Sequence, residues 1–283
     1  MKSIQQLTLL TTSLLIISGC TGGAFNSQNN ASNPAQPTTI TQVANQPFSY
    51  DDYGTVLETY VNNQGQVNYE ALKANRQPLD AFNSSLATLS PETFNNWSDP
   101  EKIAFWVNIY NSLTLQAIID HYPTKSIRDI PGVWKQLKFN VMGEELTLDQ
   151  IEHEILRKEF NEPRIHMGLV CASVGCPVLR QEPFFGEQLD QQLNEQTQQF
   201  LALNQNFQIN PDANIVKLSS IFKWFGEDFE PTYKVDNKFA GNNKERAVLN
   251  FVSQYLDENQ QAYLAQGKYK VDYLDYDWSL NQQ

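Results

Sequence analysis

Four side chains able to do covalent chemistry lie within one short stretch of this 283-residue chain: His153, His166, Cys171 and Cys176. The chain has three histidines and three cysteines in all, and only His121 and Cys20 fall elsewhere. A thiol beside an imidazole suits nucleophilic acyl chemistry, because histidine titrates near neutrality and can take the proton that cysteine must lose before attacking a carbonyl. On this reading Cys171 is the nucleophile and His153 the base, with Asn111 as an amide that orients the ring or donates to an oxyanion. His166, Cys176, Glu152 and Arg180 are further site candidates. Each also has an ordinary structural reading, since cysteine is among the most buried residue types and a histidine on a half-buried helix commonly satisfies one hydrogen bond.

Competing chemistries rank below this one. A Cys171–Cys176 disulfide would form in an oxidising compartment and would remove the thiol unless the bond were redox-active. Zinc could draw on the two histidines and two cysteines, but the four-residue spacer is wider than structural sites prefer, so no metal is expected. His153-Glu154 is followed by Ile155-Leu156-Arg157, which breaks the His-Glu-x-x-His pattern. A glycine-rich phosphate loop and a Gly-x-Ser-x-Gly turn are both absent, so neither a nucleotide cofactor nor a serine nucleophile is expected.

The elements that must position these residues are partly legible. Thr147-Leu148-Asp149-Gln150 reads as a capping box that opens a helix ending near Phe160. At about 100° per residue, Leu148, Ile151, Ile155, Leu156 and Phe160 form its apolar arc, with Glu152 inside and His153 at the edge. An inward carboxylate needs a donor, for which Arg164, Arg180, Asn108 and Asn111 are the candidates. Residues 164–170 after Pro163 read as a buried strand. A strand running back along that helix would leave Cys171 about 23 Å from the connection and His153 about 12 Å from it, so simple antiparallel packing keeps them apart. His166 would also face the opposite side of such a strand from Cys171.

Around them, residues 51–62 and 69–90 have helical spacing, the second interrupted by Pro78. Ser98-Asp99-Pro100-Glu101 caps a helix over 101–121 that is apolar on nearly every side and therefore central. Hairpins are expected at 138–146 and 207–218, helices at 189–203, 245–256 and 258–265, and a strand at 269–278. The order does not repeat a βαβ unit, so the fold class is α+β: a helix-rich single domain with a central buried helix and small β-hairpins. Phe222, Trp224, Phe225 and Phe229 form an aromatic run that either lines a groove or fills core. His121, at the end of the central helix, suits the C-terminal carbonyls there.

The N-terminus carries an address. Lys2 is the only charge in the first nineteen residues, ahead of an apolar run from Leu7 to Ile17 that is too short to span a bilayer. Ile17-Ser18-Gly19-Cys20 resembles the bacterial lipobox, so residues 1–19 read as a signal peptide and Cys20 as the lipidated first residue of the mature chain. Residues 21–47 have no charge and are rich in Asn, Gln, Thr, Ser, Ala, Gly and Pro, so 20–47 reads as lipidated Cys and disordered tether, and 48–283 as a single globular domain. The expected location is the bacterial cell envelope, outside the cytoplasm and anchored to the membrane by lipid. With 32 acidic against 20 basic residues the formal charge is −12, which leaves no cationic footprint for nucleic acid. An envelope protein, peptide or glycan is the partner class left.

Three ordered segments carry a family resemblance: residues 104–111 (Ala-Phe-Trp-Val-Asn-Ile-Tyr-Asn), 151–157 (Ile-Glu-His-Glu-Ile-Leu-Arg) and 164–177, the last running from Arg164 through Cys171-Ala172-Ser173-Val174-Gly175-Cys176 to Pro177. Together they resemble the family called domain of unknown function 547, over roughly residues 55–230. The resemblance implies a fold and no established activity. In that pattern the positions of Cys171 and His153 recur more widely than those of Cys176 and His166. Two functions follow as expectations: a thiol hydrolase or transferase acting on amide or ester bonds in the envelope, and a noncatalytic binding or scaffold lipoprotein.

Overall fold

The computed structural model describes residues 48–283, so the expected signal peptide, Cys20 and the expected tether lie outside the described residues. Within them the fold is α+β. Helices α1 (Asp51–Tyr60), α2 (Tyr69–Ala74), α3 (Gln77–Leu86) and α4 (Pro91–Asn95) precede the long α5 (Asp99–His121). Pro78 marks a join: it occupies the first turn of α3, where its missing N–H costs nothing, and α2 ends before it.

The start of α5 follows from its sequence. The Ser98 hydroxyl accepts from the Glu101 N–H while the Glu101 carboxylate accepts from the Ser98 N–H, closing the capping box. The helix is buried on almost all sides, so its polar residues need partners inside the protein. Thr114 donates to the Tyr110 carbonyl at 2.7 Å and Ser112 to the Ile109 carbonyl at 3.0 Å. Asn108 and Asn111 reach main chain of other segments. His121 closes the helix with Nδ1 at 2.8 Å from the Ala117 carbonyl.

A tight turn with Met142 and Gly143 at positive φ joins β1 (Phe139–Val141) to β2 (Glu144–Leu146). Thr147 and Gln150 then form their capping box, but the helix that follows is π-type over Gln150–Leu156 and continues as α6 (Arg157–Glu159). In a π-helix, with i→i+5 bonds, each residue turns through less than it does in an α-helix, and such turns cluster at functional sites.

The expected strand over 164–170 is instead a 3-10 helix, Pro163–Met167, followed by irregular chain. Pro163 fixes the first turn and Glu162 caps it by accepting from the Arg164 N–H. What stands in for a neighbouring strand is a side chain: Asn111 donates to the Gly168 carbonyl at 2.9 Å and accepts from the Val170 N–H at 2.8 Å.

Downstream lie α7 (Leu189–Ala202), β3 (Phe207–Asn210), β4 (Ile215–Leu218), α8 (Ser220–Phe225), α9 (Glu230–Tyr233), α10 (Asn243–Ser253), α11 (Glu258–Ala265) and β5 (Lys270–Tyr273). β3 pairs antiparallel with β4, and β5 adds parallel to β4. The expected strand at 269–278 keeps only this first part. Residues 274–283 run on as a strap, tied by Val174 N–H to the Ser279 carbonyl, Gly175 N–H to the Asp277 carbonyl and Val67 N–H to the Asn281 carbonyl, each at 2.9 Å. Two apolar cores result, one around α5 and one joining the three-stranded sheet to α10. Tyr276 of the strap packs against both.

Candidate active site

One cavity of about 340 Å³ is lined by Cys171, Cys176, Glu152, His153, His166 and Tyr276, with Tyr110, Trp134, Trp224, Phe225 and Trp278 among its other walls. The reach estimate that separated Cys171 from His153 assumed an extended strand, and the 3-10 turn removes that assumption by shortening the path from Pro163. The same change voids the parity rule that turned His166 away. Glu152 and His153, adjacent on the π-helix, both line the cavity.

Cys171 and Cys176 are both free thiols, the first half-buried and the second buried. Ala172, at φ 56°, begins the turn between them, and the Cys176 N–H closes it on the Ser173 carbonyl at 3.1 Å. Both sulfurs then share two hydroxyls. Tyr276 Oη lies 3.2 Å from Cys171 Sγ and 3.0 Å from Cys176 Sγ, and Ser173 Oγ lies 3.4 Å and 3.3 Å from the same atoms. The Cys171 N–H donates to Cys176 Sγ at 2.9 Å. Burial raises the Cys176 pKa, yet hydrogen bonds from Cys171, Ser173 and Tyr276 outweigh it and bring it down to about 7. Cys171 is pushed well up by its hydrogen bond to Cys176 and by burial, so the pair gives up its first proton from Cys176 and keeps the second on Cys171. Burial and the two thiols keep the Tyr276 phenol far above its ordinary range, so it retains its proton and can donate.

Across the cavity, Arg157 organises the imidazoles. Its Nε donates to Asp228 Oδ2 at 2.6 Å and its Nη2 to Asp228 Oδ1 at 2.9 Å, while Nη1 lies 3.1 Å from His153 Nδ1. His166 Nε2 donates to the same Asp228 Oδ2 at 2.7 Å, and its ring stacks on Phe225 with centroids 4.2 Å apart. The two histidines therefore differ in role. A guanidinium can only donate, so Nδ1 of His153 accepts and its neutral ring carries the proton on Nε2, 3.7 Å from Asp149 Oδ1. His166 gives its Nε2 proton to Asp228 and has its lone pair on Nδ1. Burial lowers the His166 pKa against the pull of Asp228, which keeps the ring neutral. Asp228 sits at about 2: burial raises it, but His166 and Arg157 lower it further.

Neither imidazole is among the hydrogen-bond partners of the Cys171 sulfur, whose neighbours are the two hydroxyls and Cys176. Asn111 does not line the cavity, because both ends of its amide are committed to Gly168 and Val170. Glu152 is buried as its helical position required, but none of the four nominated donors meets it. Arg164 pairs with Glu162 and Asp190, Arg180 with Glu182 and Glu195, and Asn108 holds the Phe184 main chain. Its carboxyl faces the Tyr110 hydroxyl, and burial holds it above the usual carboxylate range against the lowering pull of His153, Tyr110 and Arg157. Among the described residues no group of three His, Cys, Asp or Glu side chains is placed to hold a metal.

Sequence reading missed Ser173, Arg157, Asp228, Tyr276, Trp134 and Trp278. Ser173 and Arg157 sit inside the quoted motifs, but Asp228 is 62 positions from His166 and Tyr276 is 100 from Cys176, so no local pattern points to either. Of the aromatic run, Phe222 and Phe229 are core, Phe225 lines the cavity and Trp224 stands 40% exposed at it.

Residues 94–201 match the family model described as Protein of unknown function, DUF547. That span holds both thiols, Ser173, Glu152, Arg157 and both cavity histidines, while Trp224, Phe225, Asp228, Tyr276 and Trp278 come from beyond it. No curated protein and no solved structure matches the chain.

Proposed function

We propose that this protein is a thiol-dependent hydrolase or transferase of the cell envelope, anchored by lipid on Cys20 and acting on an ester or amide with an apolar acyl group. The observation that carries the reading is the placement of Cys171 and Cys176 against the shared Tyr276 and Ser173 hydroxyls on the wall of an aromatic cavity that also holds two imidazoles with different hydrogen-bond partners. Cys171, the more exposed sulfur, attacks the carbonyl carbon after passing its proton to Cys176. The bond to the leaving group breaks, and that group takes the proton that Cys176 received from Cys171, which restores the Cys176 thiolate. His166 Nδ1 then takes a proton from water as the water oxygen attacks the thioester carbonyl, Asp228 stabilises the cationic ring, and the expelled Cys171 sulfur takes that proton back as the acid leaves. In this scheme the thiolate is made by hydroxyl donors and its partner thiol, and an imidazole serves the water.

The test is incubation of the reduced full chain with nitrophenyl esters of acetic and benzoic acid at neutral pH. We expect a mass increase of one acyl group on Cys171, lost in Cys171→Ser, and slowed release of that group in His166→Ala. Absence of both an acyl adduct and labelling by iodoacetamide under reducing conditions overturns the reading. The stacked Trp224 and Trp278, with ring centroids 5.7 Å apart, favour a second reading in which the cavity only binds an aromatic or glycan ligand. Under it Cys171→Ser leaves ligand binding intact and no acyl adduct forms.

A further inference from the structure

Acyl transfer uses one sulfur, yet this cavity has two. Cys176 is 4% exposed and cannot meet a bulky substrate, but it is hydrogen-bonded to Cys171 and touches the same two hydroxyls. A thiol with these properties is placed to attack whatever becomes bonded to its neighbour. The five-position separation closes through one turn, which brings both sulfurs to the same two hydroxyls. The walls are largely aromatic, and the chain carries a formal charge of −12, which repels anionic partners.

We infer that Cys171 and Cys176 are a working redox pair that reduces small, uncharged disulfides entering the aromatic cavity, with Cys171 attacking and Cys176 resolving. This shares its sulfurs with the reading above but not its chemistry. In the first step Cys171 passes its proton to Cys176 and its thiolate attacks one sulfur of the substrate, RSSR. The S–S bond breaks and RS⁻ leaves, with R–S–S–Cys171 left behind. Cys176 then gives its proton to that RS⁻ and attacks the Cys171 sulfur, so that the mixed disulfide breaks and the second RS⁻ departs. Two electrons pass from the two cysteines to the substrate, which becomes RSH and RS⁻, while Cys171 and Cys176 become a disulfide.

The experiment uses the full chain with Cys20→Ser, so that only the cavity thiols report, and dithiodipyridine, a neutral aromatic disulfide whose reduced half absorbs light. We expect two equivalents of thione per chain, a protein mass lower by two hydrogens, and no retained adduct. Cys176→Ser should release one equivalent and keep the adduct on Cys171; acyl-adduct formation from the nitrophenyl esters is read separately on the chain with both thiols, so the two proposals fail separately. A dianionic reagent, dithiobis-nitrobenzoate, should react about tenfold or more slowly when each rate is scaled to that reagent's rate with free cysteine. Two retained adducts on the chain with both thiols, one retained adduct, or no reaction each overturn the inference, and all are read without relying on the folding of a variant.

Discussion

Replacing Tyr276 by Phe removes one oxygen and leaves the ring. The ring keeps its packing against Trp224 and Trp278, at centroid distances of 4.8 Å and 4.5 Å. What disappears is the hydroxyl 3.0 Å from Cys176 and 3.2 Å from Cys171. A hydrogen bond to a charged group contributes about 1.5–3 kcal/mol, and one pKa unit corresponds to roughly 1.4 kcal/mol, so losing this donor should raise the pair's first pKa by ~1–2 units. The sign is fixed because the hydroxyl favours the thiolate. From a starting value of about 7, a shift of ~1 unit reduces the ionised fraction at neutral pH from about a half to roughly a tenth. The more basic thiolate is intrinsically two- to threefold more nucleophilic by a Brønsted slope of ~0.4–0.5, so the rate at a single pH shows only about half of the effect on a logarithmic scale. The measurement is therefore the full pH profile of iodoacetamide alkylation in the chain with Cys20→Ser. Its midpoint should lie near neutrality and move upward by at least ~1 unit in Tyr276→Phe. An unmoved midpoint, with the variant folded, would show that Tyr276 does not hold the charge.

Two further outcomes follow from buried groups. Asn111→Ala strips the partners from the Gly168 carbonyl and the Val170 N–H, and at about 1–3 kcal/mol for each buried unsatisfied group it should lower the denaturation midpoint by several degrees; an unchanged thermal melt would contradict the clamp. Glu152 has a folded-state pKa above its unfolded value, so the folded protein loses stability as pH rises from the unfolded carboxylate pKa towards the folded one. Glu152→Gln should then be more stable than the parent at neutral pH, with the gap closing in acid, and a urea midpoint series in which the gap widens in acid would refute the assignment.

Short-range signals were readable because their physics is short-range. The Ser98 and Thr147 capping boxes each need only residues three apart, and the all-round apolar character of α5 required a central position. The hairpins at Met142-Gly143 and at residues 211–214 follow from their turn residues in the same way. Residues 164–170 went the other way. Their β-leaning content fits a buried strand, but Pro163 and the Glu162 cap favour a tight helix, and the Asn111 amide supplies from α5 the bonds a partner strand would have made.

Which reactive groups the chain owns, and their clustering between His153 and Cys176, are matters of composition and spacing and are therefore local properties. What those groups do to one another depends on long-range packing. Arg157 and Asp228 assign the tautomers of the two histidines, and Tyr276, on a strap 100 positions beyond Cys176, places its hydroxyl 3.0 Å from the buried sulfur. A proton's position depends on donors within about 3 Å, and in a folded chain those donors come from wherever packing brings them.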